Sequence, residues 1–442
     1  MTRRTAMRLM QTFYWDCPRA EGKEGQWWKH LQATLPALAK IGITALWLPP
    51  SAKSSHVDSM GYAPYDYYDQ GEFNQKGGVG TWFGSTAELR ALTRAAHDQG
   101  MIVLADAVLN HCDIGDAKEV NPLTGRELLT KFTPKSGKFA RDWSNFHPCE
   151  YSSADAGSFY GDLEGYDLPD LCHDNPYTYL GVMEYIRYLK DRQQGIGYDG
   201  FRFDAVKYYD SWIVQSIQEW QKCFGVVEYW DGSKDAIKGY LDYVRWSCSA
   251  FDFPLFYALR EMCDNPHYDM RRLWGSGLIY DVPMHSVTFC DNHDTDRSQP
   301  IVNDKLLAYA IILTHEGVPC IYWRDYYNYG LALPESPGGI DNLCRIHRDH
   351  AGGATSLLYS DERLYIAQRH GYQSQKGLVV VVNTDPMAWR GAWVQTRWPN
   401  NSLTCAAWWG RDTSQPYGQH TDGGGWTQLF APPRGYAVYL PG

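Results

Sequence analysis

Short apolar, β-prone runs alternate with segments of helical periodicity over the first three quarters of the chain. The runs that predict strands are residues 43–48, 101–107, 198–204, 225–228, 287–289 and 319–322. Helices are predicted at residues 85–100, 212–223, 235–244 and 305–313. The first helix has a capping-box pattern at Ser85 and Glu88 and a stop signal at Gly100. About eight strand–helix units fit before residue 350, and this alternation predicts an α/β fold, a (β/α)₈ TIM barrel.

Two segments break this alternation. Residues 112–179 are rich in Gly, Pro, Asp, Asn and Ser and have weak periodicity, which predicts a domain inserted after the third strand. Beyond residue 351 the helical pattern ends, and short β-prone runs follow at 364–368, 378–382, 389–394 and 436–439. These runs predict an antiparallel β domain. The predicted organisation is therefore a barrel from 1–111 and 180–350, an insertion at 112–179 and a β domain at 351–442.

Composition narrows the class of partner. The 442 residues carry 41 basic and 51 acidic side chains, and this net charge of −10 disfavours a nucleic acid or an anionic membrane as partner. The apolar runs are too short to cross a bilayer. The 18 Trp and 32 Tyr are explained by an aromatic core, by flat platforms for sugar rings, or by both. The sequence says nothing of oligomeric state, and a monomer is the default.

Cysteine usage bears on the cellular compartment. The 11 Cys include no C-x-x-C pair, and the first ten residues contain no apolar segment typical of a secretory signal. This pattern favours reduced thiols in a cytoplasmic protein. The alternative is a secreted protein whose signal has been removed.

Four acidic residues lie at or just beyond the ends of predicted strands. They are Asp106, Asp204, Glu228 and Asp294. Hydrolysis of a glycosidic bond needs one ionised and one protonated carboxyl group, and barrel enzymes place such groups at the carboxyl ends of their strands. Arg202 shares a strand face with Asp204, which favours the ionised acid. Glu228 precedes two aromatic residues, which favours the protonated acid.

Taken singly, each of these acids has an ordinary structural explanation, as a strand end, a buried ion pair or a loop turn. Taken together, the four strings at 106–111, 200–207, 227–230 and 289–294 resemble the signature regions of the α-amylase family of glycoside hydrolases (family 13). Further similar stretches are residues 10–16, 61–66, 82–85, 168–171 and 312–319. The resemblance covers nearly the whole chain, and the archaeal-type and plant-like α-amylases are the expected branch.

The resemblance implies a retaining mechanism. Asp204 would be the nucleophile, Glu228 the acid and base, and Asp294 the group that stabilises the transition state. The residues expected to bind the substrate are Tyr62, Asp106, His111, Arg202, Lys207, Trp230 and His293. The expected activity is endo-hydrolysis of α-1,4-glucosidic bonds in starch, glycogen or maltodextrins. The alternatives are a maltooligosaccharide-forming amylase, an α-glucan transglycosylase, or a glucan-binding relative without catalysis.

The resemblance also implies metal binding between the barrel and the insertion. The family's calcium ligands correspond to side-chain oxygens of Asn110, Asp155 and Asp170 and carbonyl oxygens of Gly157 and Tyr208. Such an all-oxygen set suits calcium. The archaeal-type branch can also bind zinc through His and Cys.

Only part of that zinc set is present in this chain. His147 and Cys172 match it, but Ser152 occupies the remaining position, and Cys149 or His173 would have to substitute. Zinc usually takes three or four nitrogen or sulfur ligands, so calcium is expected and zinc is not.

Overall fold

A computed structural model describes residues 7–17, 26–154 and 168–442 of the chain. In chain order the strands are β1 (Leu9–Gln11), β2 (Ala45–Trp47), β3 (Ile102–Ala107), β4 (Ala117–Val120), β5 (Glu127–Lys131), β6 (Gly200–Phe203), β7 (Gly225–Val227), β8 (Ser249–Phe251), β9 (Ser286–Phe289), β10 (Val318–Tyr322), β11 (Thr355–Ser360), β12 (Leu364–Arg369), β13 (Leu378–Asn383), β14 (Arg390–Gln395), β15 (Ser402–Trp409), β16 (Gln419–His420), β17 (Trp426–Ala431) and β18 (Gly435–Pro441). The α-helices are α1 (Trp27–Ile41), α2 (Thr86–Asp98), α3 (Pro176–Lys190), α4 (Ser211–Gln221), α5 (Lys234–Tyr243), α6 (Phe253–Asp264), α7 (Thr295–Ser298), α8 (Leu306–Ile312) and α9 (Ile340–His350).

Eight parallel strands close into a barrel in the order β1–β2–β3–β6–β7–β8–β9–β10. The predicted (β/α)₈ barrel is therefore confirmed. The sequence pattern did not single out β1 and β8. Both are three residues long, but the equally short β2 and β7 lie within the predicted β-prone runs 43–48 and 225–228, whereas β1 and β8 lie in no such run. The longer strand β3 is buried along almost its whole length, as expected of a parallel strand covered on both faces.

Helix α2 shows how local sequence defines an element. Its capping box is present, since the Ser85 hydroxyl accepts the Glu88 N–H at 3.3 Å and Glu88 Oε2 accepts the Ser85 N–H at 2.8 Å. Leu89, Leu92 and Ala96 recur at helical spacing and are fully buried. These contacts fix the helix between β2 and β3.

The connection between β3 and β6 contains the antiparallel hairpin β4–β5 and then helix α3, which begins at Pro176.

The C-terminal region contains a six-stranded sheet in the order β11–β12–β13–β18–β15–β16 and a two-stranded sheet β14–β17. The predicted antiparallel β domain is thus confirmed as an architecture. The domain boundaries at 111/112, 179/180 and 350/351 stay predictions.

The C-terminal domain packs directly on the barrel. Val380, Val382 and Val438, from β13 and β18, belong to the same hydrophobic cluster as the barrel residues. Arg434, in the turn before β18, donates to the carboxylate of Asp304, which lies just before α8. In the described residues no helix is both long and apolar enough to span a membrane.

The loop after β2 makes a turn that only glycine accommodates. Gly61 has φ +89°, and a Cβ atom there would lie 2.3 Å from the Pro50 carbonyl oxygen. Such a contact cannot be relieved by a side-chain movement, because the obstructing atom belongs to the backbone. Gly61 therefore determines the path of the chain into Tyr62.

We expect Gly61→Ala to lower the free energy of unfolding by about 1–3 kcal/mol, since it adds backbone strain and a steric clash. Thermal unfolding at a fixed scan rate measures this as a fall in Tm. Gly239→Ala is the matched control. Gly239 lies inside α5, and a Cβ atom there would meet nothing within 4 Å, so alanine should stabilise by about 0.5–1 kcal/mol. Equal Tm changes in the two variants would contradict the prediction.

Candidate active site

The four predicted acids lie at the carboxyl-terminal end of the barrel. Asp106 is the penultimate residue of β3, and Asp204 and Glu228 directly follow β6 and β7. Asp294 precedes α7, in the connection that follows β9. The structure therefore places them at the end of a TIM barrel where active sites occur.

One guanidinium group holds three of these carboxyl groups together. Nη1 of Arg202 lies 2.7 Å from Asp106 Oδ1 and 2.6 Å from Asp204 Oδ1, while Nη2 lies 2.7 Å from Glu228 Oε1. The register of β3 and β6 pairs Asp106 with Arg202, which brings their side chains to the same face. The Arg202 side chain is 1% exposed, so solvent screens these ion pairs little.

The second oxygen of Asp106 also has partners. Asp106 Oδ2 accepts from Trp47 Nε1 at 3.0 Å and from the Tyr62 hydroxyl at 2.8 Å. The guanidinium of Arg202 lies over the Trp47 ring, 5.0 Å from its centroid. With both oxygens engaged, Asp106 is suited to orienting Arg202 and Tyr62 rather than to attacking a substrate.

Glu228 occupies an environment that favours its protonated form. Burial raises the pKa of Glu228 to about 8, the positive charge of Arg202 opposes this, and the negative charges of Asp204 and Asp294 add to it. Glu228 Oε2 accepts the Ala205 N–H at 3.0 Å. Ala205 has φ +48°, an unfavourable conformation for a residue with a Cβ atom, and this conformation accompanies the N–H contact with Glu228.

His293 is held as a neutral ring beside Asp294. Burial, followed by the nearby charge of Arg202, lowers the pKa of His293 well below its usual value. Gln11 Nε2 lies 3.0 Å from Nδ1, so the ring accepts there and carries its proton on Nε2. Nε2 lies 3.3 Å from Asp294 Oδ2, and the Asp294 side chain is 35% exposed. Asp294 is thus the most accessible of the four acids.

Flat rings line the site next to these acids. The Tyr62 ring is nearly parallel to those of His293 and Trp15, at centroid distances of 5.0 and 5.8 Å. His111 Nε2 donates to the Tyr62 carbonyl oxygen at 2.7 Å, which fixes the backbone that carries the ring. The half-buried rings of Tyr62 and Trp15 provide an apolar surface suited to a sugar ring.

The two remaining predicted binding residues lie together beyond Glu228. Lys207 Nζ donates to the Trp230 carbonyl oxygen at 3.0 Å and to Asp231 Oδ2 at 2.9 Å. The Trp230 indole N–H donates to the Tyr257 hydroxyl at 2.9 Å. Both predicted side chains are partly exposed and near the acids, but Lys207 already has an anionic partner.

Part of the predicted calcium set is brought together. The Leu171 N–H donates to the Asn110 carbonyl oxygen at 2.9 Å, and His111 pairs with Asp170 in an isolated bridge. Asn110 and Asp170 are both buried, and Asn110 Oδ1 has no hydrogen-bond donor among the described residues. A buried acceptor of this kind suits an oxygen-seeking cation. Asp155 and Gly157 lie outside the described residues, and Tyr208 lies in the turn that follows Asp204.

The residues considered for zinc make other contacts. His147 Nδ1 lies 3.0 Å from Asp170 Oδ2, and the Cys149 and Cys172 sulfur atoms lie 2.7 Å apart. His173 is fully buried, which lowers its pKa to about 3. In the part of the chain that the structure describes, no three His, Cys, Asp or Glu side chains form a group able to hold a metal ion.

Sequence reasoning overlooked Gln11, Trp47 and Ala205 as parts of the site. Gln11 and Trp47 are register partners at the ends of β1 and β2. Their positions at strand ends were a usable signal, because inward-facing residues there meet in the centre of a barrel. The left-handed backbone of Ala205 had no sequence signal, since alanine gives no indication of positive φ.

Comparisons with known proteins agree with this geometry. A family model described as the α-amylase catalytic domain matches residues 21–245, and one described as the α-amylase C-terminal domain matches residues 378–440. A glucan 1,4-α-maltohexaosidase of Bacillus sp. (strain 707) is 32% identical over 396 residues, covering 78% of this chain and 76% of that protein. A cytoplasmic α-amylase of Escherichia coli (strain K12) is 29% identical over 440 residues, covering 85% of this chain and 88% of that protein.

A solved structure shows the same fold. The crystal structure of an α-amylase from Geobacillus thermoleovorans, complexed with acarbose, has a TM-score of 0.66 at 20% sequence identity, covering 99% of this chain and 97% of that chain. The two relatives named above are bacterial, so the expected archaeal-type or plant-like branch is not confirmed.

We expect Arg202→Met to lower the free energy of unfolding by about 3–5 kcal/mol, because it leaves buried carboxyl groups without their cation. The pKa of Glu228, already raised by burial, should rise further. A folded state that binds more protons than the unfolded state loses stability as pH rises. The deficit relative to wild type should therefore be larger at pH 8 than at pH 5, and Tm values at both pH values measure it.

Arg245→Met is the control for this prediction. The Arg245 side chain is 75% exposed and pairs only at the surface, with Glu219. Its removal should change Tm little at either pH. A deficit of Arg202→Met that shrank between pH 5 and pH 8 would show that the carboxyl groups do not depend on this guanidinium.

Proposed function

Since the chain belongs to the α-amylase family of glycoside hydrolases, we propose that it hydrolyses internal α-1,4-glucosidic bonds with retention of configuration. The proposed substrates are starch, glycogen or maltodextrins. The observation that carries the proposal is the set of ion pairs around Arg202. They hold Asp204 close to Glu228, whose pKa is raised to about 8. The two-step mechanism needs this combination of a nucleophilic carboxylate and a protonated acid.

Asp204 is proposed as the nucleophile that attacks the anomeric carbon and forms the glycosyl-enzyme. Its Oδ1 lies 2.6 Å from Nη1 of Arg202, an ion pair that orients the side chain for attack. Glu228 gives its proton to the departing glycosidic oxygen, then takes a proton from the water that hydrolyses the intermediate. Asp294, with the neutral His293 beside it, faces the cleft and stabilises positive charge that develops on the sugar.

The remaining predicted binding residues are proposed to contact the sugars on either side of the bond that is cleaved. Tyr62 presents its ring to the sugar at the cleavage point, and Asp106 and His111 hold it there. Lys207 contacts the Trp230 carbonyl oxygen, and these two residues are proposed to bind the leaving sugar. A sugar hydroxyl would have to share Lys207 with Asp231.

A maltooligosaccharide-forming amylase is the second candidate, because the Bacillus relative is named a maltohexaosidase. A transglycosylase would use the same glycosyl-enzyme and differ in its acceptor. A glucan-binding relative without catalysis is disfavoured, since all three proposed catalytic acids are present and Arg202 pairs with Asp106, Asp204 and Glu228.

Calcium is the proposed metal. Asn110 Oδ1 and the Asp170 carboxylate would hold it, joined by Asp155 and the carbonyl oxygens of Gly157 and Tyr208. The ion would tie the connection between β3 and β6 to the barrel. Its contribution is structural, and the proposed chemistry is carried out by the acids alone.

Compartment and assembly are proposed separately from the chemistry. The relative of Escherichia coli is named a cytoplasmic α-amylase, which supports a cytoplasmic location and glycogen or maltodextrin as the natural substrate. A monomer remains the default, and membership of the archaeal-type or plant-like branch stays a prediction. Native protein in the culture medium would contradict the cytoplasmic location.

We expect Glu228→Gln to reduce kcat on soluble starch by at least about 1,000-fold, because the amide cannot donate or accept the catalytic proton. Reducing-sugar release measures activity, and Tm establishes that the variant is folded. Glu219→Gln, at an exposed position of α4, is the control and should retain activity. Freshly released products should have the α configuration in NMR spectra. Activity of Glu228→Gln within tenfold of wild type would refute the proposed role.

We expect EDTA to lower the Tm of the wild type and calcium to restore it, since a ligand that binds only the folded state stabilises it. Elemental analysis should find bound calcium. Asn110→Ala should weaken calcium binding and shrink the EDTA response, whereas Asn303→Ala, at an exposed position, should leave both unchanged. An identical EDTA response in wild type and Asn110→Ala would remove Asn110 from the ligand set.

A further inference from the structure

A second buried ion cluster lies beneath the connection that carries His293 and Asp294. Lys305 Nζ lies 2.7 Å from Asp291 Oδ2 and 2.6 Å from Asp325 Oδ1. The side chains of both acids are 0% exposed and that of Lys305 is 8% exposed. Burial of charged groups is costly unless they are paired and hydrogen-bonded, so this triad needs an explanation that the proposed chemistry does not supply.

Asp291 connects the triad to both ends of helix α7. Its Oδ1 accepts the Thr295 hydroxyl at 2.9 Å, and Thr295 is the first residue of α7. Its Oδ2, which also faces Lys305, accepts the Ile301 N–H at 3.2 Å. A single carboxylate thus holds the chain on either side of α7.

The network continues from Thr295 to the backbone of Asp294. The Thr295 hydroxyl oxygen accepts the Asn292 N–H at 2.9 Å. The Asn292 side-chain oxygen accepts the N–H groups of Asp294 and Thr295, each at 2.9 Å. Each link is a direct hydrogen bond, so displacement of Asp291 moves the backbone that carries the Asp294 carboxylate.

The other end of the triad is fixed to the barrel. Asp325 Oδ2 accepts the Tyr309 hydroxyl at 2.7 Å, and the Tyr309 oxygen accepts the Tyr322 N–H, at the end of β10, at 3.3 Å. Asp304, next to Lys305, has φ +45° and accepts from Arg434 of the C-terminal domain. The triad is therefore linked through Asp325 to α8 and β10, and the residue preceding Lys305 is linked to the C-terminal domain.

We propose that Asp291 and Lys305 are positioning residues that hold the Asp294 carboxylate in its reactive place through Thr295 and Asn292. The inference rests on the proposed role of Asp294 in stabilising the transition state. A misplacement of about 1 Å at a catalytic group can cost about 100-fold in rate. A loss confined to the transition state lowers kcat and leaves KM largely unchanged.

The first test is Asp291→Asn, which keeps the shape of the side chain and removes its charge. We expect kcat on a maltooligosaccharide to fall about 10- to 100-fold, with KM within about twofold of wild type. Asp361→Asn is the matched control. Asp361 also pairs with a cation, Arg390, and accepts backbone N–H groups, but it lies in the C-terminal domain, away from α7. Its replacement should leave kcat unchanged.

A pair of substitutions at Thr295 separates positioning from packing. Thr295→Val keeps the shape and loses the hydroxyl, so kcat should fall as in Asp291→Asn. Thr295→Ser keeps the hydroxyl and loses a methyl group, so kcat should recover to within about threefold of wild type. A purely structural role predicts a lower Tm in both variants with kcat of the folded protein unchanged, because the valine leaves Asp291 Oδ1 and the Asn292 N–H unpaired and the serine leaves a cavity in a fully buried position. This pair decides the question even where Asp291→Asn does not fold.

Asp294→Asn separates failure of this inference from failure of the proposed function. If Asp294→Asn is inactive but Asp291→Asn and Thr295→Val keep the wild-type kcat, the positioning role alone is overturned. Active Asp294→Asn overturns the proposed role of Asp294, and the inference with it. A reduced kcat at unchanged KM in both Asp291→Asn and Thr295→Val, with an active Thr295→Ser, supports the inference.

Discussion

The Arg202 guanidinium is the interaction on which the arrangement of the site depends. It is buried, and Asp106, Asp204 and Glu228 lie within 2.7 Å of its two terminal nitrogens. One positive charge cannot balance three ionised carboxylates at low dielectric, so the cluster favours retention of a proton. Burial raises the pKa of Glu228 to about 8 and that of Asp106 to about 6, so Glu228 is the group of this cluster that holds a proton more readily. The division between the proposed nucleophile and the proposed acid therefore follows from charge balance around one residue.

The barrel supplies the geometry that this balance requires. Parallel strands end at one edge, so residues at the ends of β3, β6 and β7 converge without long loops. Neighbouring turns supply the finer contacts. Ala205 adopts a left-handed conformation and donates its N–H to Glu228, and Gly61 allows the tight turn before Tyr62. Residues held in such backbone conformations are often found at functional sites, where the surrounding structure compensates for their strain.

Much of the barrel and many of the site residues could be predicted from the sequence. The four acids were found because each lies at or near the end of a run that reads as a strand, and Arg202 because it is two residues from Asp204 on the same face. Strands β1 and β8 were not predicted because neither lies in a longer β-prone run, unlike the equally short β2 and β7. The contact of Gln11 with His293 joins residues 282 positions apart, and the Lys305 triad joins segments on either side of α8. Local patterns contain no information on such pairings, which depend on closure of the barrel.

The two buried ion clusters, around Arg202 and around Lys305, differ in how far their carboxyl groups are exposed to solvent. Around Arg202, Asp204 and Glu228 keep 9% and 8% of their side-chain surface exposed, enough for contact with a substrate in the cleft. Around Lys305, the side chains of Asp291 and Asp325 are fully buried, and the oxygen of each that does not face Lys305 accepts a hydroxyl group. A fully buried carboxylate cannot reach a substrate, but one with partners on both oxygens resists displacement. Ion clusters at the same end of the barrel can thus serve different purposes, and the difference lies in whether their carboxyl groups are exposed.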